Sequence, residues 1–150
     1  GGGSAGGHIS LLATTNPGLN DPRDTKKYDT TVAAYLLFNP ALSVADAKDS
    51  EVDFLQHLKG DLSPAIVFFG SKDRWLKNGW KVARAKLASL KIADSIDIRI
   101  AEGQDHGFFN KQPWSDVTLI EADRFLKALG FLKGVPTLIM PLTGEKLEKR

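Results

Sequence analysis

Two continuous apolar runs stand out in the chain. VAAYLLF (Val32–Phe38) is bounded by Thr31 and by Asn39–Pro40, and AIVFFG (Ala65–Gly70) is apolar to its end. Short uninterrupted runs of this kind predict strands buried on both faces, as in parallel sheets. SIDIRIA (Ser95–Ala101) differs: Ile96, Ile98 and Ile100 alternate with polar neighbours, which predicts an edge strand with one wet side. Helical spacing marks the segments between. Ser4–Thr15 carries Ile9, Leu11 and Leu12 on one side and is stopped by Asn16-Pro17-Gly18. Leu76–Leu90 aligns Leu76, Trp80, Ala83, Leu87 and Leu90. Asp116–Leu129 aligns Leu119, Ala122, Leu126 and Leu129, with Gly130 placed to close it. A short helix is expected over Glu51–Leu58, and the polar stretch Asn16–Thr30 reads as a surface excursion.

Alternating strands and helices define an α/β chain, with a mostly parallel sheet flanked by helices. The expectation is one domain over residues 1–134 and a tail over 135–150, whose last residues, GEKLEKR, are mixed in sign and read as solvated. With these strands alone, Val32–Phe38 would form an exposed apolar edge, which is an aggregation hazard. Further strands are therefore expected beside it, from sequence ahead of Gly1 or from a partner chain, including a second copy.

Composition narrows the chemistry. The chain has 150 residues, 42% hydrophobic and 25% charged, with a formal net charge of +2. Scattered basic residues give no electrostatic case for nucleic acid or a membrane surface. The absence of cysteine excludes disulfides, thiolate metal sites and cysteine nucleophiles. No histidine–carboxylate spacing suggests a metal site. No apolar run is long enough to span a bilayer. No signal peptide is visible, and the single methionine is Met140, so location is left open.

The opening GGGSAGGH admits several readings. As a glycine- and serine-rich stretch it is a flexible linker or tag. Gly1-x-Gly3-x-x-Gly6 satisfies a phosphate-binding pattern, but no strand precedes it in the chain. Gly2-Gly3-Ser4-Ala5-Gly6 satisfies G-x-S-x-G, in which a serine sits on a sharp turn entering a helix and small neighbours avoid a clash. In that case the Ala5 N–H is placed to stabilise an oxyanion. This reading also requires an acid and then a histidine, each just after a later strand. Asp73 follows the strand ending at Gly70, and His106 follows the strand ending at Ala101. All would lie at the carboxyl ends of parallel strands, where such sheets place functional groups.

With GGSAGGH (Gly2–His8), LLFNPAL (Leu36–Leu42), FFGSKD (Phe68–Asp73) and GQDHGFFN (Gly103–Asn110), the chain resembles the C-terminal half of an α/β-hydrolase. The similarity is to the esterase/lipase group that includes hormone-sensitive-lipase-like, acetyl-xylan-esterase-like and feruloyl-esterase-like proteins, and it runs from about Gly2 to Gly134. It implies Ser4 as nucleophile, Asp73 as acid, His106 as base, and hydrolysis of carboxylic esters, small or linked to polysaccharide, without metal or cofactor. It also implies strands before the elbow and an early loop giving a second oxyanion donor, which this sequence does not contain. Weak activity as a truncated half is the expectation. The rival reading is a non-catalytic module that pairs its open sheet edge with another chain.

Other residues receive lesser roles. Trp75 and Phe108 are candidates to line the substrate, although Phe108 and Phe109 also suit anchoring of the histidine loop. Trp80 fits a core stripe. His8 and His57 read as packing or surface histidines, and Asp105 as solvated.

Overall fold

The computed structural model describes residues 1–24, 28–42 and 49–150. The predicted excursion Asn16–Thr30 includes residues 25–27, which lie outside the described residues. The elements are β1 (Gly2–Gly3), α1 (Ala5–Thr15), β2 (Tyr35–Phe38), α2 (Phe54–His57), β3 (Ala65–Gly70), α3 (Lys81–Ser89), β4 (Ile96–Ala101), α4 (Trp114–Ala128) and β5 (Leu147–Lys149). The strands form one five-stranded sheet in the order β1-β2-β3-β4-β5. All neighbours are parallel except β4 and β5.

Alternate residues of each strand point to opposite faces, so the sheet divides the core in two. Tyr35, Leu37, Ala65, Val67, Phe69, Ile98 and Ile100 pack against Leu11 and Leu12 of α1, Phe54 of α2 and Ala83 and Leu87 of α3. Ile66, Phe68 and Ala101 pack against Phe108 and Ala122 on the other side, where Leu36, Phe38 and Phe125 are only partly covered. Every residue of β3 is buried, as its apolar run requires. Burying a phenylalanine is worth about 1.5–3 kcal/mol, so Phe68 and Phe69 make this strand the stiff axis of the sheet.

Several expectations are corrected. The first apolar run forms a strand only over Tyr35–Phe38, and Val32 is exposed. Its outer edge is met by the chain's own start, Gly2 pairing with Leu37 and Gly3 with Phe38, so the last residues of the strand entering the elbow are present. β4 is not an edge, because β5, from the end read as solvated, pairs with Arg99–Ala101. Its polar side is only partly exposed: Arg99 bridges Asp97 at 2.9 Å and Glu121 at 3.5 Å. In α1, Ile9 faces out rather than in. In α4 the buried stripe is Val117, Thr118, Ile120 and Ala122, while Leu119 and Leu129 are exposed. The helix predicted from Leu76 begins with a π turn over Leu76–Trp80, at Asn78-Gly79, before α3. Glu51–Leu58 divides into a 3-10 turn at Ser50–Val52 and the short α2.

Candidate active site

Three successive strand ends are stitched together by the same device. The residue after each strand donates its N–H to a carbonyl at or near the end of the next strand: Ser4 to Phe38 (2.9 Å), Asn39 to Phe68 (2.7 Å) and Ser71 to Ala101 (3.0 Å). The loops that follow are thus hung in register along one end of the sheet. The acid and histidine loops are tied further by Lys72 N–H to Gln104 O at 2.9 Å and Gly103 N–H to Ser71 Oγ at 2.9 Å. Gly70 permits this approach, since a Cβ there would lie 2.3 Å from the Gln104 carbonyl oxygen.

Ser4 sits between β1 and α1 with φ 52° and ψ −119°. A non-glycine residue at positive φ is strained at a cost on the order of 1–3 kcal/mol, and such strain clusters at functional sites. The turn is tight: a Cβ on Gly2 would come within 2.7 Å of the Gly6 backbone. At Gly6 itself a Cβ would meet nothing within 4 Å, so the small residue there is not required by packing, contrary to expectation. Ala5 opens α1, where the first N–H groups of a helix have no intrahelical acceptor.

These loops bring together the residues that the sequence order singled out. His106 Nε2 lies 2.9 Å from Ser4 Oγ, and its Nδ1 lies 3.0 Å from Asp73 Oδ2. The Asp73 side chain is fully buried, and that of His106 is 37% exposed. An ionised carboxylate only accepts, so the Nδ1 proton points to Asp73 and Nε2 is left to accept from the Ser4 hydroxyl. Asp73 Oδ1 accepts the Trp75 N–H at 2.9 Å. A hydroxyl, an imidazole and a carboxylate in hydrogen-bonded succession can move a proton off the hydroxyl as it attacks.

The other candidates are placed elsewhere. Phe108 is buried in the core, edge-on to Phe109 and Trp114, so its ring anchors the histidine loop and is not available to line a substrate. Phe109 continues that anchor onto Phe38. Trp75 packs against the core beside Leu76, with the Arg74 guanidinium 4.4 Å over its ring. Trp80 is core, as its stripe predicted. His8 Nε2 meets the Val52 carbonyl at 2.8 Å, and His57 Nε2 lies 3.0 Å from the Ser50 carbonyl. A cavity of about 550 Å³ bordered by Thr14, Tyr35, His57, Lys59 and Asp61 lies at the other end of the strands, away from Ser4. Among the described residues no group of three or more histidines and carboxylates is placed to hold a metal ion.

One buried polar residue was read in the sequence only as strand punctuation. Asn39 is fully buried with φ 46°, and its Nδ2 donates to Asp73 Oδ2. The signal was present in LLFNPAL: an amide at the end of an apolar strand, in the same position relative to β2 as Ser71 is to β3.

A five-stranded, mostly parallel sheet flanked by helices matches the α/β fold of an esterase. The solved structures it matches include esterase 2 from the Planctomycetes species Thermogutta terrifontis. The form phosphorylated by paraoxon aligns with a TM-score of 0.73 at 29% identity, covering 89% of this chain and 54% of that chain. The butyrate-bound form aligns at 0.70 with 30% identity, over 89% and 57%. The propionate-bound form aligns at 0.70 with 28% identity, over 90% and 57%. This chain thus spans little more than half the length of the esterase chains it matches. No family model and no curated protein matches it.

Proposed function

We propose that this chain carries the nucleophile, base and acid of a serine-dependent carboxylic ester hydrolase, with Ser4, His106 and Asp73 in those roles. The observation that carries the reading is the continuous hydrogen-bonded path from Ser4 Oγ through His106 to buried Asp73. The likeness to an esterase supports it.

In the first half-reaction Ser4 Oγ attacks the ester carbonyl carbon and its proton passes to His106 Nε2. The oxyanion that forms faces the Ala5 N–H. Collapse expels the alcohol, which takes the proton from His106, and leaves an acyl group on Ser4. Water then attacks the acyl carbon, gives its proton to His106, and the carboxylic acid departs as Ser4 regains a proton. Asp73 holds the imidazole tautomer and stabilises the imidazolium.

Short acyl groups are the proposed substrates, since the aligned esterase was solved with propionate and with butyrate bound. Acetyl or feruloyl esters of plant polysaccharide and membership of the hormone-sensitive-lipase-like group belong to the same proposal. Removing one oxyanion donor costs about 10²–10³ in rate. The described residues offer the Ala5 N–H alone from the elbow, so turnover by this chain is expected to be weak. Covalent capture is the sharper test. A fluorophosphonate or paraoxon should modify Ser4, found by mass spectrometry of its peptide, and Ser4→Ala should take up none. Folded protein that remains unmodified would sink the reading.

A further inference from the structure

We infer that Asn39 is a positioning residue that holds the acid and the base of this site in one geometry. The inference rests on the roles proposed above for Asp73 and His106.

Asn39 belongs to neither loop, and its side chain is hydrogen-bonded to both. Its Nδ2 donates to Asp73 Oδ2, the same oxygen that faces His106 Nδ1. Its Oδ1 accepts the N–H of Gly107, the residue next to His106, at 3.4 Å. Its backbone N–H is fixed to Phe68 O at 2.7 Å, on the stiff central strand. The amide therefore measures the distance between the acid and the histidine loop from a rigid base. With the Trp75 N–H on Oδ1, Asp73 has no rotational freedom left: both oxygens are engaged. Without Asn39, Oδ2 keeps the imidazole alone, and the contact that ties the carboxylate to the central strand is lost.

Full burial makes the choice of residue specific. An amide supplies one donor and one acceptor in a planar pair, and both find partners here. An aspartate would put a second carboxylate against Asp73. Asparagine also tolerates φ 46° better than most residues, which lets the chain turn sharply at the end of β2.

Two variants of the full chain separate the amide from the backbone. Asn39→Gly accepts the positive φ and removes the amide. Asn39→Asp keeps the shape and exchanges the donor for a charge. The first readout is the downfield proton resonance of the His106 Nδ1–H facing Asp73, which does not depend on chemistry at Ser4. It should be sharp in the parent and broadened or lost in Asn39→Gly. The second is the rate of fluorophosphonate labelling of Ser4, expected to fall about tenfold to a hundredfold in Asn39→Gly, a range typical of removing a partner that orients a reactive imidazole. The third is the pH profile of labelling in Asn39→Asp. A second carboxylate near His106 favours imidazolium, so the acid limb should move to higher pH. The charged neighbours along the two loops include Asp73 itself, exposed Asp105, whose carboxylate accepts the His106 backbone N–H, and exposed Lys72 and Arg74 on the acid loop. None of these changes between the proteins. Folded variants with an unchanged resonance, parental labelling and an unmoved limb would overturn the inference. A parent that never labels yet shows a resonance lost in Asn39→Gly would sink the role of Ser4 and leave Asn39 standing. Should Asn39→Gly fail to fold, Asn39→Asp decides by the same resonance and limb.

Discussion

The two ends of strand β2 hold buried or half-buried polar groups only four positions apart, yet they are built differently. At the start, the Tyr35 hydroxyl is bonded, among the described side chains, to Thr14 of the neighbouring helix α1 alone. At the finish, Asn39 has a positive φ and is bonded to residues from two other loops. The same contrast runs across the sheet. The starting end borders a cavity with Lys59 and Asp61 of opposite charge, whereas the finishing end gathers Ser4, Asp73 and His106 into one hydrogen-bonded path. A polar group that only completes packing contacts its neighbour helix; one that serves a site is held by several loops and carries backbone strain. Substitutions at the finishing end should therefore change reactivity more than stability, and those at the starting end the reverse.

The largest expected effect is at Ser4. Ser4→Gly should abolish organophosphate labelling and at the same time raise stability by about 1 kcal/mol, because glycine relieves the strain at φ 52°. Mass spectrometry and chemical denaturation measure both. A loss of labelling accompanied by a loss of stability would show that the turn is not strained and would blur the contrast.

The glycines at the two ends of β3 come next. Gly70→Ala places a Cβ against the Gln104 carbonyl, where backbone must give way, and so drives the acid and histidine loops apart. A displacement of about 1 Å in such a site can cost about 10²-fold in rate, and overpacking costs about 1–3 kcal/mol. Gly60→Ala, ahead of the same strand, has open space around its Cβ and suffers only from its φ of 102°. It should lose on the order of 1 kcal/mol and label at the parental rate. Equal losses of labelling in both would erase the distinction between the ends.

What could be read from the sequence follows the same division. β3 was legible because AIVFFG has no polar residue to dispute its burial, and the order Ser4, Asp73, His106 was legible because each follows a strand. The elements decided by long-range partners were not. α4 has two apolar stripes at helical spacing, and only the sheet selects Val117 and Ile120 over Leu119 and Leu129, while Ala122 of the predicted stripe is buried as expected. β5 is three residues, Leu-Glu-Lys, with no apolar run, and becomes a strand because Arg99–Ala101 of β4 presents a free edge. Asn39 was hidden for a related reason: Asn-Pro after an apolar run reads as a stop, and only the fold shows that the stop also contacts Asp73. Of the two roles the sequence left open for Phe108, burial favours the anchor, because an aromatic near a reactive loop serves equally well to pin that loop to the core.

The smaller effects belong to the starting end. Tyr35→Phe removes one hydrogen bond to Thr14 and should lower stability by about 0.5–1.5 kcal/mol with labelling of Ser4 unchanged. A drop in labelling would mean that the two ends are coupled through β2.

The same residue gives the smallest effect, a pH dependence confined to alkali. Burial raises the Tyr35 phenol above its ordinary value of 10.0; the Thr14 hydrogen bond opposes this and the charge of Asp61 adds to it. An unfolded tyrosine loses its proton from about pH 10, while the folded one keeps it, so above that pH the unfolded state binds fewer protons. Stability from this source is therefore complete below about pH 10 and declines as the pH rises toward the folded value. Melting curves from about pH 8 to about pH 11 should show a steeper alkaline loss in the parent than in Tyr35→Phe, since Tyr28 is common to both. Parallel curves would show that the phenol is as well solvated as in the unfolded chain. The starting end of β2 would then be open to water, and its hydroxyl would not be the buried counterpart of Asn39.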